Sequence, residues 1–152
     1  ISRLANDTVK FFAHNPVMAM LSYSNFGNDK TGTPSQVRQV VEKLHSSYPD
    51  MLVDGEMQVN IALNKEQRDK RYPFTKLKGQ DVNTLVFPNL SSANTAYKLL
   101  VETGVGDVMG PIQMGLNKPV HILDVDTSVR DIVNMAAIAV IDAIVDENKN
   151  KS

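Results

Sequence analysis

The chain has 152 residues and a formal net charge of −1 at pH 7, with 16 lysines and arginines against 17 aspartates and glutamates. That length supports one domain with a real core or a piece of a larger protein, and the interspersed, near-neutral charge offers no electrostatic footprint for nucleic acid or an anionic membrane. The absence of cysteine excludes disulfides, thiolate catalysis and zinc–cysteine sites and accords with a cytoplasmic location.

No apolar run approaches the roughly 20 residues that span a bilayer, and no signal peptide is visible. Ile1 opens partway into an amphipathic pattern, so a fragment of a longer chain is expected. Ile1, Leu4, Ala5, Thr8, Val9 and Phe12 recur at helical spacing and predict a helix ending before Asn15 and Pro16. VMAMLSY (17–23) is a continuous apolar run, the pattern of a strand covered on both faces. A turn-rich segment, Ser24 to Thr33, leads to Pro34 near a helix start; Val37, Val40, Val41 and Leu44 mark one face of that helix, which stops by Pro49. MLVDGE (51–56) predicts a strand ending in acids, and Val59 to Lys70 a polar helix. TLVFP (84–88) predicts another buried strand, followed by a helix with Ala93, Ala96, Tyr97 and Leu100 on one face and Gly104 at its close. Residues 107–113 and 119–123 are expected as two further short strands.

In the last helix, Val129, Ile132, Val133, Ala136, Val140 and Ala143 form one apolar stripe, and Met135, Ile138, Ile141 and Val145 form a second. Such a helix is either central to the core or lays one face against another domain or subunit. A polar tail, 147–152, is expected to fray. Alternating β and α elements with short connections predict an α/β fold with a parallel or mixed sheet between helix layers.

Some features that look chemical have the wrong context. GVGDVMG (104–110) follows a helix and precedes a predicted strand, the reverse of the order a dinucleotide loop requires. His14, His45 and His121 lack ligand spacing, so no metal site is expected. His121 is expected as a hydrogen-bonded core residue, and the seven methionines as gap-filling core. Loops that follow strands carry more weight, because open α/β sheets bind ligands outside the carboxyl ends of their strands. Ser22, Ser24 and Asn25 offer short groups for phosphate oxygens; Asp54 and Glu56 suit a cation or the cap of the next helix; Asn89 to Asn94 suit the cap of the helix carrying Tyr97 and Lys98. Three such loops on one sheet edge predict a cleft. Asp124 to Ser128 stand where a predicted strand meets a helix N-terminus, a position that attracts anions.

LSYSNFGN, PDMLVDGEMQVNIAL, TLVFPNLSSANTAYKLL, GPIQMGLNKPVHIL and SVRDIVNMAAIAVIDA follow one another across nearly the whole chain. Together they resemble the second half of the phosphate acetyltransferase and butyryltransferase family. NFGN, FPNLSSAN and KPVHIL, with IVNMAAIAVIDA, are more similar still to the transferase-like C-terminal region of the large, bacterial-type hybrid malic enzymes. The resemblance implies a three-layer α/β/α sandwich within a two-subdomain fold, of which residues 1–152 are the C-terminal part. It further implies a cleft for coenzyme A esters and a homo-oligomer, dimer or higher. Malic enzyme domains would precede this segment in cis and convert malate to pyruvate and CO2 with NAD(P) and Mg or Mn. The segment itself would carry no cofactor, with acetyl-CoA as a candidate effector.

The family signature is similar to GPILQGLNKPVNDLSRG followed by S-x-x-D-I-V. Its S-R-G-x-S-x-x-D supplies groups to take the coenzyme A thiol proton and to hold phosphoryl oxygens. Aligned on SVRDIV, this chain keeps Ser128 and Asp131 but has Asp124 for the first serine and Val125 for the arginine. Gln113 and Met114 stand where the signature has Leu-Gln. Losing the arginine removes a bidentate, permanently charged clamp, and the neighbouring acid adds repulsion. Unit charges about 4 Å apart interact by roughly 1 kcal/mol in water and roughly 4 kcal/mol at an effective dielectric near 20, so the reversed sign is severe. The expectation is a regulatory and oligomerising module without transferase activity, in which Asp131 is a vestigial catalytic residue retained for a capping box. A working acyltransferase using Asp131 is the alternative, and a purely dimer-forming module a third. Ser24, Asn94, Tyr97, Lys98, Gln113 and Ser128 are the candidate effector- or substrate-binding residues.

Overall fold

A computed structural model describes residues 1–149, which form two compact units, one from Ile1 to Lys98 and one from Leu99 onward. The first is built on a parallel three-stranded sheet of β1 (Met18–Leu21), β2 (Val53–Met57) and β3 (Thr84–Val86), in the order β2-β1-β3. Met18 pairs with Val53 on one side and Thr84 on the other, and the register slips after Met20, where Leu21 meets Met57. The alternation of side chains along a strand then sorts the core into two layers. Met18 and Met20 join Val37, Val41, Leu44, Met51, Val53 and Val86 on one face. Val17, Ala19 and Leu21 join Met57, Ile61, Ala62 and Leu77 on the other. The sandwich expected from the apolar runs is therefore present, with a sheet that is parallel throughout.

Helix α1 (Ser2–Phe11) packs against β3, α2 (Gly32–Ser47) against β2 and β1, and α3 (Val59–Leu63) against β1. Pro34 lies in the first turn of α2, where backbone N–H groups lack helical acceptors anyway. The polar helix expected over 59–70 is two helices, because Asn64 ends α3 and caps α4 (Lys65–Arg71), accepting from Gln67 N–H at 2.9 Å. On α1 the buried residues are Ser2 and Asn6, while the apolar stripe through Leu4, Ala5, Thr8 and Val9 is half-buried. Gly55 has φ +145, and a Cβ there would stand 2.5 Å from the Met20 carbonyl oxygen, so the approach of β2 to β1 requires glycine.

Helix α5 (Leu90–Glu102) follows β3 and closes at Gly104, which has φ +64. In the second unit the only element after it, among the described residues, is α6 (Val129–Lys149). The strands expected at 107–113 and 119–123 are absent. At 107–113 Gly110 turns the chain at φ +142 and Pro111 has no N–H to donate, which interrupts a ladder there; at 119–123 Pro119 removes a donor only at the first residue, and that segment too runs outside any sheet. Helix α6 continues through Lys149, so the tail expected to fray from Glu147 is helical to that point, and 150–152 lie outside the described residues.

Candidate functional site

Because all three strands are parallel, their carboxyl ends share one edge of the sheet. The loop after β1 and the start of α5 after β3 both stand there, as the strand-end logic requires. The β1–α2 loop is laced to β2 along its length. Ser22 N–H donates to Met57 O, Phe26 N–H to Glu56 O (2.8 Å) and Gln58 N–H to Asn25 Oδ1 (2.8 Å), while Gln58 Nε2 donates to Tyr23 O (2.7 Å). Ser24, buried, accepts from Asp29 N–H at 3.0 Å. The hydroxyl and amide expected to face phosphate oxygens thus shape the loop instead. At its outer end, Asp29 accepts from the Thr31 hydroxyl (2.7 Å), Thr31 N–H (2.8 Å) and the Tyr23 hydroxyl (2.8 Å). The bonds from Thr31 foremost hold the Asp29 carboxyl below its ordinary range, and the same carboxylate raises Tyr23.

Asp54 and Glu56 lie within β2, and neither caps the helix that follows: the N-cap of α3 is Gln58, which makes no side-chain cap hydrogen bond. Asp54 accepts from Gly55 N–H (2.9 Å), the Thr75 hydroxyl (2.6 Å) and Lys76 N–H (2.8 Å), fastening the segment after α4. Glu56 is fully buried and accepts from Gly27 N–H at 2.7 Å, with Arg38 Nε 3.5 Å from its other oxygen. Among the described residues no cluster of three or more His, Asp or Glu side chains could hold a metal. Sequence patterning missed Arg38 and Arg68, which occupy polar positions of helices. Arg68 is fully buried, and its guanidinium donates to the carbonyls of Ala62, Leu77 and Gln80. Phe26 stacks at tilted and edge geometries on Tyr72 (4.8 Å) and Phe74 (5.1 Å).

Asn89 caps α5 as expected, accepting from Ser92 N–H at 2.9 Å. Asn94, Tyr97 and Lys98 are exposed along that helix, with Lys98 Nζ 5.8 Å from the Tyr97 ring centroid, within cation–π range. These three side chains are free of the internal roles that occupy Ser24.

In the second unit, Ser128 caps α6. Its hydroxyl accepts from Asp131 N–H (3.2 Å) and donates to the Asp131 carboxylate (2.6 Å), so the S-x-x-D pair works locally as a cap. Before it, Asp124 O accepts from Thr127 N–H and hydroxyl, making a tight turn with Val125 99% exposed at its tip. Arg130 is paired with Asp107 at 2.8 Å; this lowers the Asp107 carboxyl and raises the guanidinium. Gln113 is exposed, and its N–H reaches His121 Nδ1 at 3.4 Å. His121 is half-buried outside any strand, and its Nε2 is buried without a partner, so the ring is not the satisfied core group expected.

Residues 1–140 match the phosphate acetyl/butaryl transferase family, and the chain belongs to it. It is similar to the NADP-dependent malic enzyme of Salmonella typhimurium, 42% identical over 144 residues, 94% of this chain but 19% of that protein. It is also similar to the phosphate acetyltransferase of Bacillus subtilis, 34% identical over 91% of this chain and 42% of that protein. The crystal structure of a phosphotransacetylase from Streptococcus pyogenes superposes with a TM-score of 0.86 at 38% identity, covering 94% of this chain and 43% of that one. The chain thus spans about a fifth of the malic enzymes it resembles, and less than half of the transferases.

Proposed function

We propose that this chain is the regulatory and oligomerising region of a malic enzyme, an acyl-CoA-binding module that has lost transferase catalysis. The observation that carries the proposal is Val125, fully exposed at the tip of an acidic turn where the family signature has its arginine. A valine offers no charge to a transferring phosphoryl group, Asp124 and Asp126 flank it, and Arg130 is engaged by Asp107. Binding an acyl-CoA makes lighter demands: adenine, pantetheine and diphosphate contacts need no catalytic arginine. Tyr97, Lys98 and Asn94 are available for such contacts in the first unit, and Gln113 and Ser128 are the candidates in the second.

In this proposal malate oxidation, with NAD(P) and Mg or Mn, belongs to the region of the parent protein outside this chain. Acetyl-CoA binding here shifts that activity by favouring one of two global states, typically by about 1–3 kcal/mol. The test is malate-dependent cofactor reduction with and without acetyl-CoA, in the full-length protein and in one truncated before this region. Acetyl-CoA is expected to inhibit the intact protein and leave the truncated one unaffected; identical responses would reject this region as the sensor. An active phosphate acetyltransferase is the second reading, favoured by the short Ser128–Asp131 hydrogen bond, which keeps a carboxylate and hydroxyl together. Acetyl transfer between acetyl phosphate and coenzyme A at ordinary enzyme rates would establish it and overturn the first.

A further inference from the structure

Two consecutive residues of the β1–α2 loop, Phe26 at φ +45 and Gly27 at φ +92, occupy left-handed backbone conformations. For phenylalanine this is an unfavourable conformation that persists only where the surroundings enforce it. The enforcing groups are Glu56 and Arg38. Glu56 Oε1 accepts from Gly27 N–H, its backbone oxygen accepts from Phe26 N–H, and Arg38 Nη2 donates to Asp29 O at 3.0 Å. Gly27 is pressed against the guanidinium so closely that a Cβ there would stand 2.9 Å from Arg38 Nη1.

The pair is poorly built for stability. Glu56 is wholly buried, Arg38 is only partly exposed, and they stand 3.5 Å apart with Arg38 Nε and Glu56 Oε2 both lacking a hydrogen bond. Buried ion pairs of that kind recover their desolvation cost badly, and apolar replacements are often as stable. The hydrogen bonds that the two side chains do make all go to the backbone of one loop.

We propose that Glu56, together with Arg38, is a positioning residue that holds the Ser22–Asp29 loop in the shape in which this unit receives its acyl-CoA ligand. This deepens the acyl-CoA reading above and rests on it. The loop then follows the sheet edge because a buried carboxylate and a guanidinium fix its backbone at Gly27 and Asp29, while Ser24 closes it from within and Asn25 ties it to Gln58.

The experiment uses the full-length protein and two readouts: acetyl-CoA affinity by titration calorimetry, and amide hydrogen exchange across 22–31. Glu56→Ala is expected to weaken affinity by at least about tenfold and to accelerate exchange at Gly27 and Asp29. Glu56→Gln, which keeps an oxygen for Gly27 N–H, is expected to stay within about threefold of wild type. Arg38→Met, at a partly exposed position, is expected to move both readouts in the same direction as Glu56→Ala and supplies a folded variant if that one fails. Val53→Ala, a truncation in the core layer under α2 that leaves the Glu56 and Arg38 side chains in place, should lower the melting temperature and leave affinity unchanged. A wild type that ignores acetyl-CoA removes the acyl-CoA reading, and the ligand-positioning proposal with it. A responsive wild type whose affinity survives both Glu56→Ala and Arg38→Met, or falls equally in Val53→Ala, overturns the positioning role alone. Unaltered exchange in the loop overturns the clamp in either case.

Discussion

Helix α6 makes the oligomerising half of the proposal quantitative. Its apolar residues are not equally covered: Met135 and Ile138 of the second stripe are buried, whereas Ile132, Val133 and Val140 of the first, Ile141 of the second and Ile144 remain between 45% and 60% exposed. Full burial of such a side chain is worth about 1.5–3 kcal/mol, so covering the exposed half contributes about 1 kcal/mol each. The face supplies about 5 kcal/mol per protomer, and about 10 kcal/mol across a twofold interface. Association itself costs about 4–15 kcal/mol, so the balance is narrow and one residue can tip it. Ile141→Asp removes about 1 kcal/mol of burial and places an unpaired carboxylate in the interface, costing several kcal/mol more per copy. The dissociation constant is expected to rise by at least about a thousandfold. Sedimentation equilibrium over a range of protein concentrations measures it. Thermal melting of the dissociated variant should show a folded protein, since Ile141 is half exposed within the chain. Ile138→Asp is the contrast: at 6% exposure it should unfold the second unit. An Ile141→Asp protein with the parental mass throughout that range would place the interface elsewhere.

Arg68→Met should lower stability by about 3–5 kcal/mol, because it leaves buried carbonyl acceptors at Ala62 and Leu77 without their donor; urea denaturation with an unchanged midpoint would refute that role. Asp29 has a folded-state pKa depressed chiefly by its bonds from Thr31, so its contribution is complete above the unfolded value near 3.8 and is lost as pH falls through the lower folded one. Asp29→Asn should therefore flatten the acid limb of the stability curve below about pH 4, and an acid limb identical to wild type would contradict it.

Where burial and periodicity agree, the fold was legible. The runs VMAMLSY and TLVFP contain β1 and β3, MLVDGE covers all of β2 but Met57, and Val37, Val41 and Leu44 lie on the buried face of α2. What stayed hidden were polar groups that go inside. Ser2 is buried on α1 with its hydroxyl against Met20 Sδ at 3.5 Å, and Arg68 is buried on a helix whose composition reads as solvated. No period announces Arg68, because its partners include carbonyls in irregular segments at Leu77 and Gln80. The expected strand at 107–113 failed for the opposite reason: apolar residues were present, but Gly110 and Pro111 interrupt the backbone; the apolar run at 119–123 likewise pairs with no strand.

The same distinction decides which strand-end residues remain able to meet a ligand. A hydroxyl or carboxylate beside a strand end has two competing uses. A buried backbone N–H without a partner is expensive, so a nearby side-chain oxygen is drawn to it first. Ser24, Asn25, Asp54 and Glu56 have all been taken this way, by Asp29, Gln58, Lys76 and Gly27 respectively. Asn89 and Ser128 serve as helix caps in the same sense. The exposed groups on α5, Asn94, Tyr97 and Lys98, escape that competition because a helix satisfies its own backbone. On the acyl-CoA proposal, recognition in the first unit would fall to this exposed face of α5, whose side chains no buried backbone group has claimed.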